Sequence, residues 1–308
     1  MISPDVQQVL SQLGAPSEAD WRVEDARAEH ERNAAWFTPA SERANVASVE
    51  ELRVAGVRAR VYRPHGVNSS MPTLLWLHGG GWMTGSLDTG DIIAREVTAG
   101  AGIVVVAPEY RLAPEHRWPA ALEDAAAVLE WLFDHVDELG GDPAAILVGG
   151  DSAGGNLASV LAHTDMIPRR LAGQALIYPV MDLNLDATAY PSRLEFAAGF
   201  HLEWVDVVRC VSTYLDGTNP DQVTVSPLRA GGFEHLSPTV VATADLDPLR
   251  DEGRMYAERV RNAGVPVVYL NTRGLVHGGF DMVGVSATAR TALDGFVRAI
   301  RELFGATR

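Results

Sequence analysis

A serine between glycines is the strongest chemical signal in this sequence. Ser152 lies in the stretch Gly-Asp-Ser-Ala-Gly at 150–154, directly after an apolar run at 145–148 and before a segment rich in helix formers. A G-x-S-x-G stretch between a strand and a helix puts its serine on a turn so tight that only small flanking residues avoid collision. The hydroxyl is then exposed above the sheet edge, where the following helix N-terminus favours negative charge. We therefore predict a serine nucleophile at this position.

A glycine-rich segment follows an earlier predicted strand. The stretch His-Gly-Gly-Gly-Trp occupies 78–82, directly after the apolar run at 73–77. Three glycines leave backbone N–H groups unobstructed, so that a developing oxyanion can approach them. The N–H group of Ala153, the residue after the serine, would complete such an oxyanion hole. We interpret His78 as an anchor of this loop rather than as a base.

Candidates for an acid and a base follow the last predicted strands. Asp247 comes after the run at 239–243 and precedes a proline, with Asp245 and Asp251 as rivals. His277 lies between the last strand and the last helix, and it alone completes the chain order Ser, Asp, His that is expected when the nucleophile follows a central strand. These groups are the parts that acyl transfer from an ester requires: a nucleophile, a base, a group that orients the base and oxyanion donors.

The elements that position these groups are predicted from nearly continuous apolar runs, which are typical of strands buried on both faces of a parallel sheet. After an alternating hairpin, six such runs occur at 73–77, 103–107, 145–148, 174–178, 239–243 and 265–270. Helical patterns separate or follow them at about 90–100, 119–138, 154–164, 248–263 and 287–303. This alternation predicts an α/β fold with a mostly parallel central sheet flanked by helices.

One stretch without a β-run, between Tyr178 and Thr239, interrupts the alternation. Insertions of this kind usually lie over the carboxyl ends of the strands, where ligands bind. We therefore expect a helical cap made of the insertion at 183–222 and of N-terminal helices within 1–45, one of them beginning near 17–20. The core would then comprise 46–182 and 223–308.

Composition excludes several classes of function. The 308 residues carry a net charge of −15, which argues against binding nucleic acid or anionic membranes through a basic face. A single cysteine, Cys210, allows no intrachain disulfide and no thiolate metal cluster. Neither an H-E-x-x-H motif nor a dinucleotide fingerprint occurs, so we expect no metal and no cofactor. No apolar run approaches the ~20 residues of a membrane span, and no leader pattern begins the chain, which predicts a cytoplasmic protein.

The ordered set of motifs resembles the hormone-sensitive-lipase family of α/β-hydrolases, the bacterial family IV carboxylesterases. The matching stretches are HGGGW at 78–82, YRLAPEHRWPA at 110–120, GDSAGGN at 150–156, DPLRDEG at 247–253 and HG at 277–278. The resemblance covers most of the chain from about residue 50. It reaches the two predicted cap segments only by their position, as the family's variable cap.

The resemblance implies a role for each matching residue. Ser152 would be the nucleophile, His277 the base and Asp247 the group that orients it. The N–H groups of Gly80, Gly81 and Ala153 would form the oxyanion hole, and the segment at 110–120 would brace the glycine-rich loop. Relatives often pair as dimers, which implies a homodimer.

Two positions depart from the family pattern. Glu109 stands where the family usually has aspartate, a swap that we expect to be tolerated. Gly279 adds a second glycine after the histidine, where one is common, so that the imidazole could be shifted or poorly held. A misplacement of ~1 Å can lower a catalytic rate about 100-fold.

The chain is therefore predicted to be a serine carboxylesterase for short-to-medium acyl esters, about C2–C8, because a small aromatic cap would make a short pocket. We expect the pocket to be lined by Trp82, Asp151, Phe196, Phe200, Leu202 and Trp204. Amidase, arylformamidase and lactonase chemistry need the same parts and stay open. A ligand receptor on the same scaffold is the alternative outside the enzymes, although the plant gibberellin receptors that use it have lost the catalytic histidine, which is present here.

Overall fold

The computed structural model describes residues 1–13, 21–66, 70–164, 166 and 169–305. The expected helix start near 17–20 lies outside these residues. Within them, eight strands form one sheet in the order β1-β2-β4-β3-β5-β6-β7-β8. They are β1 (Ser48–Val54), β2 (Val57–Arg63), β3 (Met71–Leu77), β4 (Val104–Pro108), β5 (Gly141–Asp151), β6 (Gly173–Ile177), β7 (Thr239–Leu246) and β8 (Val267–Val276).

Most neighbouring strands of the sheet are parallel. Strand β2 runs antiparallel to both β1 and β4, and every other neighbouring pair is parallel. The prediction of a mostly parallel sheet is therefore confirmed. Parallel pairing brings the carboxyl ends of β3, β5, β7 and β8 to one edge, and the candidate residues follow these strands.

Helices cover both faces of the sheet. They are α1 (Pro4–Leu10), α2 (Val23–Phe37), α3 (Asp91–Val97), α4 (Ala120–His135), α5 (Ala153–His163), α6 (Pro191–Glu195), α7 (Trp204–Leu215), α8 (Arg250–Asn262) and α9 (Ala287–Phe304). Strand β3 shows why the apolar runs are continuous, because its side chains point alternately to two buried faces. Leu75 and Leu77 belong to the buried cluster that includes residues of α4, α5 and α8, whereas Leu74 and Trp76 belong to the cluster that includes residues of α3 and α9.

The two N-terminal helices have different surroundings. In α2, side chains line the cavity described below, as expected of a cap helix. By contrast, α1 packs on α9 and β8, with Asp5 accepting hydrogen bonds from the Ser286 hydroxyl at 2.7 Å and the Thr288 N–H at 2.8 Å. The expectation that the N-terminal helices together form the cap is therefore corrected for α1, because its buried Val6 and Val9 join the core beneath the sheet.

Arg193 fastens the inserted segment to the core. Its side chain is 1% exposed and forms an ion pair of 2.6 Å with Glu252 on α8, which is fully buried. The guanidinium also donates to the carbonyls of Asp182 and Asn184. Its carbon lies 4.7 Å from the centre of the Trp204 ring at the start of α7, so one side chain connects α6, α7 and α8.

Replacing Arg193 with alanine should lower the free energy of unfolding by about 3–5 kcal/mol, because burial already raises the pKa of Glu252 to about 7 and, without its partner, the carboxyl group must either take up a proton or stay charged unpaired. Urea unfolding followed by fluorescence measures the change. The control is Arg254→Ala, which removes an ion pair with Glu258 whose side chains are each 47% exposed. That change should cost less than about 1 kcal/mol. Equal losses in both variants would contradict the role given to Arg193.

Candidate active site

Ser152 occupies the turn between β5 and α5 in a conformation that few side chains adopt. Its backbone has φ +53° and ψ −117°, a left-handed arrangement that costs about 1–3 kcal/mol. The turn closes because its flanking residues lack side chains: a methyl group on Gly154 would collide with the Leu77 carbonyl oxygen, and one on Gly150 with the backbone of Gly154. The serine side chain therefore stands at the carboxyl edge of the sheet.

A chain of hydrogen bonds joins three side chains from distant parts of the sequence. The Ser152 Oγ atom lies 2.9 Å from Nε2 of His277. The Nδ1 atom of the same ring lies 2.8 Å from Oδ2 of Asp247. With Nδ1 protonated, His277 donates to the carboxylate and can accept the serine proton at Nε2. Such an arrangement can turn the hydroxyl into a nucleophile.

The two rival carboxylates have other partners. Asp245 accepts long hydrogen bonds of 3.4 Å from the Asn271 side chain and the Gly274 N–H. Asp251 forms an ion pair with Arg250 at 3.0 Å and caps the short helix of the inserted segment through the Ser192 N–H at 2.9 Å.

Asp247 is fully buried, and its second oxygen accepts the Leu249 N–H at 2.8 Å. That bond fixes the carboxylate beside the imidazole.

The two positions after His277 require glycine for different structural reasons. Gly278 has φ +75°, and a methyl group on it would lie 3.4 Å from the ring of His201 in the cap. Gly279 begins a 3-10 turn, and a methyl group there would press on Leu275 at 2.6 Å. The extra glycine therefore does not move the imidazole out of hydrogen-bonding range of the serine, which corrects the concern raised by the sequence.

The glycine-rich loop approaches the serine with its backbone. Gly80 and Gly81 both have positive φ, +118° and +60°. Among the residues that the structure describes, no carbonyl or side chain accepts a hydrogen bond from their N–H groups. Ala153 begins α5, so its N–H has no partner within the helix. Donors left open in this way are suited to a developing oxyanion.

Tyr110 and Arg27 hold this loop in place. The Tyr110 ring stacks on His78 at 4.3 Å, and its hydroxyl donates to the His78 carbonyl at 2.6 Å. Burial lowers the pKa of His78 to about 4, so its ring is neutral, as suits an anchor. From α2, the Arg27 guanidinium donates to the carbonyls of Met83 at 2.9 Å and Ala113 at 3.1 Å. The motif beginning at Tyr110 therefore lies where a brace for the loop is needed.

A cavity of about 320 Å³ opens over the Ser152 hydroxyl. Three of the six predicted pocket residues line it, namely Trp82, Asp151 and Leu202. The other three, Phe196, Phe200 and Trp204, do not, and the expectation is corrected for them.

These three aromatic rings pack against other side chains of the cap and of α8 instead of facing the cavity. The Phe196 ring packs edge-on against Phe200 at 5.1 Å and lies under the Arg250 guanidinium at 4.9 Å, while Trp204 stacks on Arg193.

Several cavity residues were not foreseen from the sequence. From α7, Val207, Cys210 and Val211 face the cavity, and their spacing of three and four residues is a helix-face signal that could have identified them. His201 and Asp281 also line it, yet each lies in a turn where no periodicity marks the direction of a side chain.

The carboxyl group of Asp151 lies beside the nucleophile and is poorly solvated. Burial raises its pKa to about 7, against which the nearby Gly79 N–H and the charge of His277 act. Burial and the proximity of Asp151 also hold the pKa of Asp281 well above its usual value. The floor of the cavity therefore carries carboxyl groups that retain protons more readily than ordinary ones.

Within the described part of the chain, no three side chains of the metal-binding types come together as a metal site. In the same residues, no helix has both the length and the apolar character that crossing a bilayer requires.

Comparison with known proteins identifies the fold and the family. A family model described as the alpha/beta hydrolase fold matches residues 74–281. The carboxylesterase NlhH of Mycobacterium tuberculosis is 41% identical over 230 residues, which cover 72% of this chain and 70% of that protein. An ethyl acetate hydrolase of Pseudomonas putida is 34% identical over 253 residues, which cover 79% and 77%.

Among solved structures, an esterase of Pyrobaculum calidifontis superposes with a TM-score of 0.89 at 33% identity, covering 99% of this chain and 100% of that one.

Replacing Asp247 with asparagine should slow labelling of Ser152 by an organophosphonate about 10⁴-fold, because the imidazole would lose the partner that fixes its tautomer. Mass spectrometry of the labelled protein gives the rate. Asp245→Asn is the matched control, since it changes a neighbouring carboxylate outside the hydrogen-bonded chain, and it should label within a few-fold of the parent. A slower reaction in the control than in Asp247→Asn would reverse the assignment.

The raised pKa of Asp151 predicts a dependence of stability on pH. Between about pH 4 and 7 the native state keeps a proton that the unfolded state has lost, so the parent protein loses stability as pH rises. Asparagine at this position does not titrate, so the Asp151→Asn variant does not lose stability in this way. Its free energy of unfolding relative to that of the parent should therefore grow by roughly 2–4 kcal/mol over this range.

Urea unfolding at several pH values measures the difference. Asp5→Asn is the control, because the bonds that Asp5 accepts lower its pKa to about 2, outside the window. Its loss of stability should be constant from pH 4 to 8. A flat difference for Asp151→Asn would contradict the prediction.

Proposed function

The chain belongs to the hormone-sensitive-lipase-like carboxylesterases of the alpha/beta hydrolase fold, and we propose that it cleaves short-to-medium acyl esters through an acyl-enzyme intermediate. The hydrogen-bonded chain from Ser152 through His277 to Asp247 is the observation that supports this proposal most directly. The reaction needs a nucleophile, a base and a carboxylate that orients the base. Here the three groups are joined by hydrogen bonds before any substrate binds.

In the first step, His277 accepts the Ser152 proton at Nε2 while the serine oxygen attacks the ester carbonyl carbon. The buried carboxylate of Asp247 stabilises the imidazolium that forms and does not itself take the proton. The carbonyl oxygen gains negative charge beside the N–H groups of Gly80, Gly81 and Ala153. Each such donor typically contributes 10²–10³ in rate.

Collapse of the tetrahedral intermediate breaks the bond to the alcohol oxygen. His277 returns its proton to that oxygen, and the alcohol leaves with the serine acylated. A water molecule then takes the position of the alcohol, gives a proton to His277 and attacks the acyl carbon. The acid is released and Ser152 recovers its proton.

The size of the cavity supports small substrates. Its volume of about 320 Å³ equals that of roughly ten liquid water molecules, which suits an ester of similar size. The similar protein from Pseudomonas putida is named for ethyl acetate, an ester of this class. We therefore propose acyl chains of about C2–C8.

Two alternatives use the same scaffold. Amide, arylformamide or lactone substrates would meet the same nucleophile, and amide analogues of the best ester compare them directly. A receptor needs no activated serine, and the hydrogen bond of 2.9 Å between Ser152 and His277 favours the enzyme. A homodimer and a cytoplasmic location stay predictions.

Labelling of Ser152 by an organophosphonate separates the enzyme from the receptor. The parent protein should react within minutes, and His277→Ala should react at least 10³-fold more slowly, because the hydroxyl would lose its base. Ser152→Ala should take up no label. A parent protein that stays unlabelled would favour the receptor.

Hydrolysis of p-nitrophenyl esters tests the acyl-length proposal. We expect kcat/KM to be highest between about C2 and C8 and to fall at least tenfold at C12, because a longer chain exceeds the cavity and leaves methylenes in water. Initial rates across the series give the profile. Rates that rise steadily beyond C12 would contradict a short, partly closed pocket.

A further inference from the structure

One face of α2 lies against the glycine-rich loop and the residues that follow it. Arg27, His30 and Glu31 are three and four residues apart, so their side chains leave the same face of the helix. The Nδ1 atom of His30 lies 3.0 Å from the Thr84 hydroxyl oxygen, and the Ser86 hydroxyl donates to the Glu31 carboxylate at 2.5 Å. Of these contacts, the one made by His30 continues to the glycines of the loop.

The Thr84 hydroxyl connects His30 to Gly80. It donates to the Gly80 carbonyl at 3.1 Å, and the same carbonyl accepts the N–H groups of Met83 at 3.1 Å and Thr84 at 2.9 Å. A hydroxyl has one hydrogen, so an oxygen that donates to Gly80 accepts its other hydrogen bond, here from Nδ1–H of His30. Burial lowers the pKa of His30 to about 4, so the ring is neutral and carries one N–H. Three donors thus hold one carbonyl, and His30 fixes the direction of one of them.

The carbonyl of Gly80 and the N–H of Gly81 belong to the same peptide unit. This unit is trans and planar, so its N–H points opposite to its carbonyl oxygen. Glycine on both sides leaves the unit free to rotate, because neither residue has a side chain that restricts its dihedral angles. The donors that hold the carbonyl therefore also set the direction of the N–H.

This N–H group is one of the open donors beside the nucleophile. Both glycines line the cavity, and the Gly81 N–H has no acceptor among the described residues. Hydrogen bonds in a chain polarise one another, so donors on the carbonyl also make the N–H of the same peptide a stronger donor. The bonds that start at His30 therefore bear on both the direction and the strength of this donor.

We propose that His30 is a positioning residue of the oxyanion hole, which acts through the Thr84 hydroxyl to aim the peptide between Gly80 and Gly81 at the developing negative charge. This inference rests on the proposed ester hydrolysis and adds to it a residue on the N-terminal helix. Acylation and deacylation both form an oxyanion, so the contribution belongs to kcat. His30 also lines the cavity, and direct contact with the substrate, the competing role, would belong to KM.

Replacing His30 with leucine, or Thr84 with valine, tests the proposal. Each change should lower kcat for p-nitrophenyl butyrate about tenfold and change KM less than about twofold, since a misdirected donor loses part of the 10²–10³ that one oxyanion donor contributes. His30→Asn and Thr84→Ser should keep most of the parent kcat, because each retains the hydrogen-bonding group at that place. Organophosphonate labelling carried to completion counts the active sites, so that unfolded protein does not enter kcat.

The double variant separates action through Thr84 from an independent effect of His30. If both residues belong to one chain of bonds, His30→Leu adds no loss to Thr84→Val, and the double variant stays about tenfold below the parent, whereas independent effects would multiply to about 100-fold.

A transition-state analogue gives a readout that loss of folded protein does not change. A trifluoromethyl ketone with a propyl chain forms a tetrahedral oxyanion with the serine, and its inhibition constant should rise about tenfold in His30→Leu and in Thr84→Val.

Glu31→Leu is the matched control. It removes another contact between α2 and the loop region, the hydrogen bond from Ser86, without reaching the peptide between the glycines. Its kcat and its inhibition constant should equal those of the parent. An equal loss in this control would assign the effect to attachment of α2 in general and would overturn the role given to His30.

The remaining outcomes separate the two proposals. A parent-like kcat in His30→Leu, a change confined to KM, or a double variant about 100-fold slower than the parent would overturn the positioning role and leave ester hydrolysis intact. If His30→Leu does not fold, Thr84→Val compared with Thr84→Ser decides in the same way without a change in α2. A parent protein that neither hydrolyses p-nitrophenyl butyrate nor takes up organophosphonate would overturn the proposed function itself.

Discussion

The left-handed backbone at Ser152 is the constraint on which the rest of the site depends. Its strain persists only because β5 and α5 hold the turn from both sides, and because glycines at 150 and 154 let it pass under the Leu77 carbonyl. From that position one hydroxyl meets an imidazole on one side and open amides on the other. A larger residue at either glycine would displace the loop that supplies those amides.

Buried charge is arranged differently in the site and in its support. Asp247 is fully buried beside His277 and accepts a backbone N–H, so its charge has fixed partners. Arg193 and Glu252 are matched in the same way beneath the cap. By contrast, burial makes Asp151 and Asp281 resist ionisation, and the charge of His277 offsets this only in part for Asp151.

Much of the core could be predicted because its signals are local. Continuous apolar runs indicated the parallel strands, and the order of motifs indicated the edge at which they meet. Strand β8 extends to Val276, beyond the predicted 265–270. The prediction stopped too early because the second half of the strand carries the polar residues Asn271, Thr272 and Arg273, a pattern typical of a loop. The pocket was harder, since an aromatic residue such as Phe196 can face the cavity or the cap's own interior, and only packing decides. Asp245 and Asp247 lie two residues apart at one strand end, and the local sequence does not show which of the two carboxylates reaches the histidine.

Arg27 makes the N-terminal segment part of the catalytic scaffold. One guanidinium on α2 satisfies two main-chain carbonyls, one beside the glycine-rich loop and one in its brace. Loss of α2 would leave both oxygens unpaired and the loop without its outer restraint. Shortened or N-terminally exchanged versions of this enzyme would then differ in turnover as well as in substrate access, so cap grafting between relatives has to carry this arginine across.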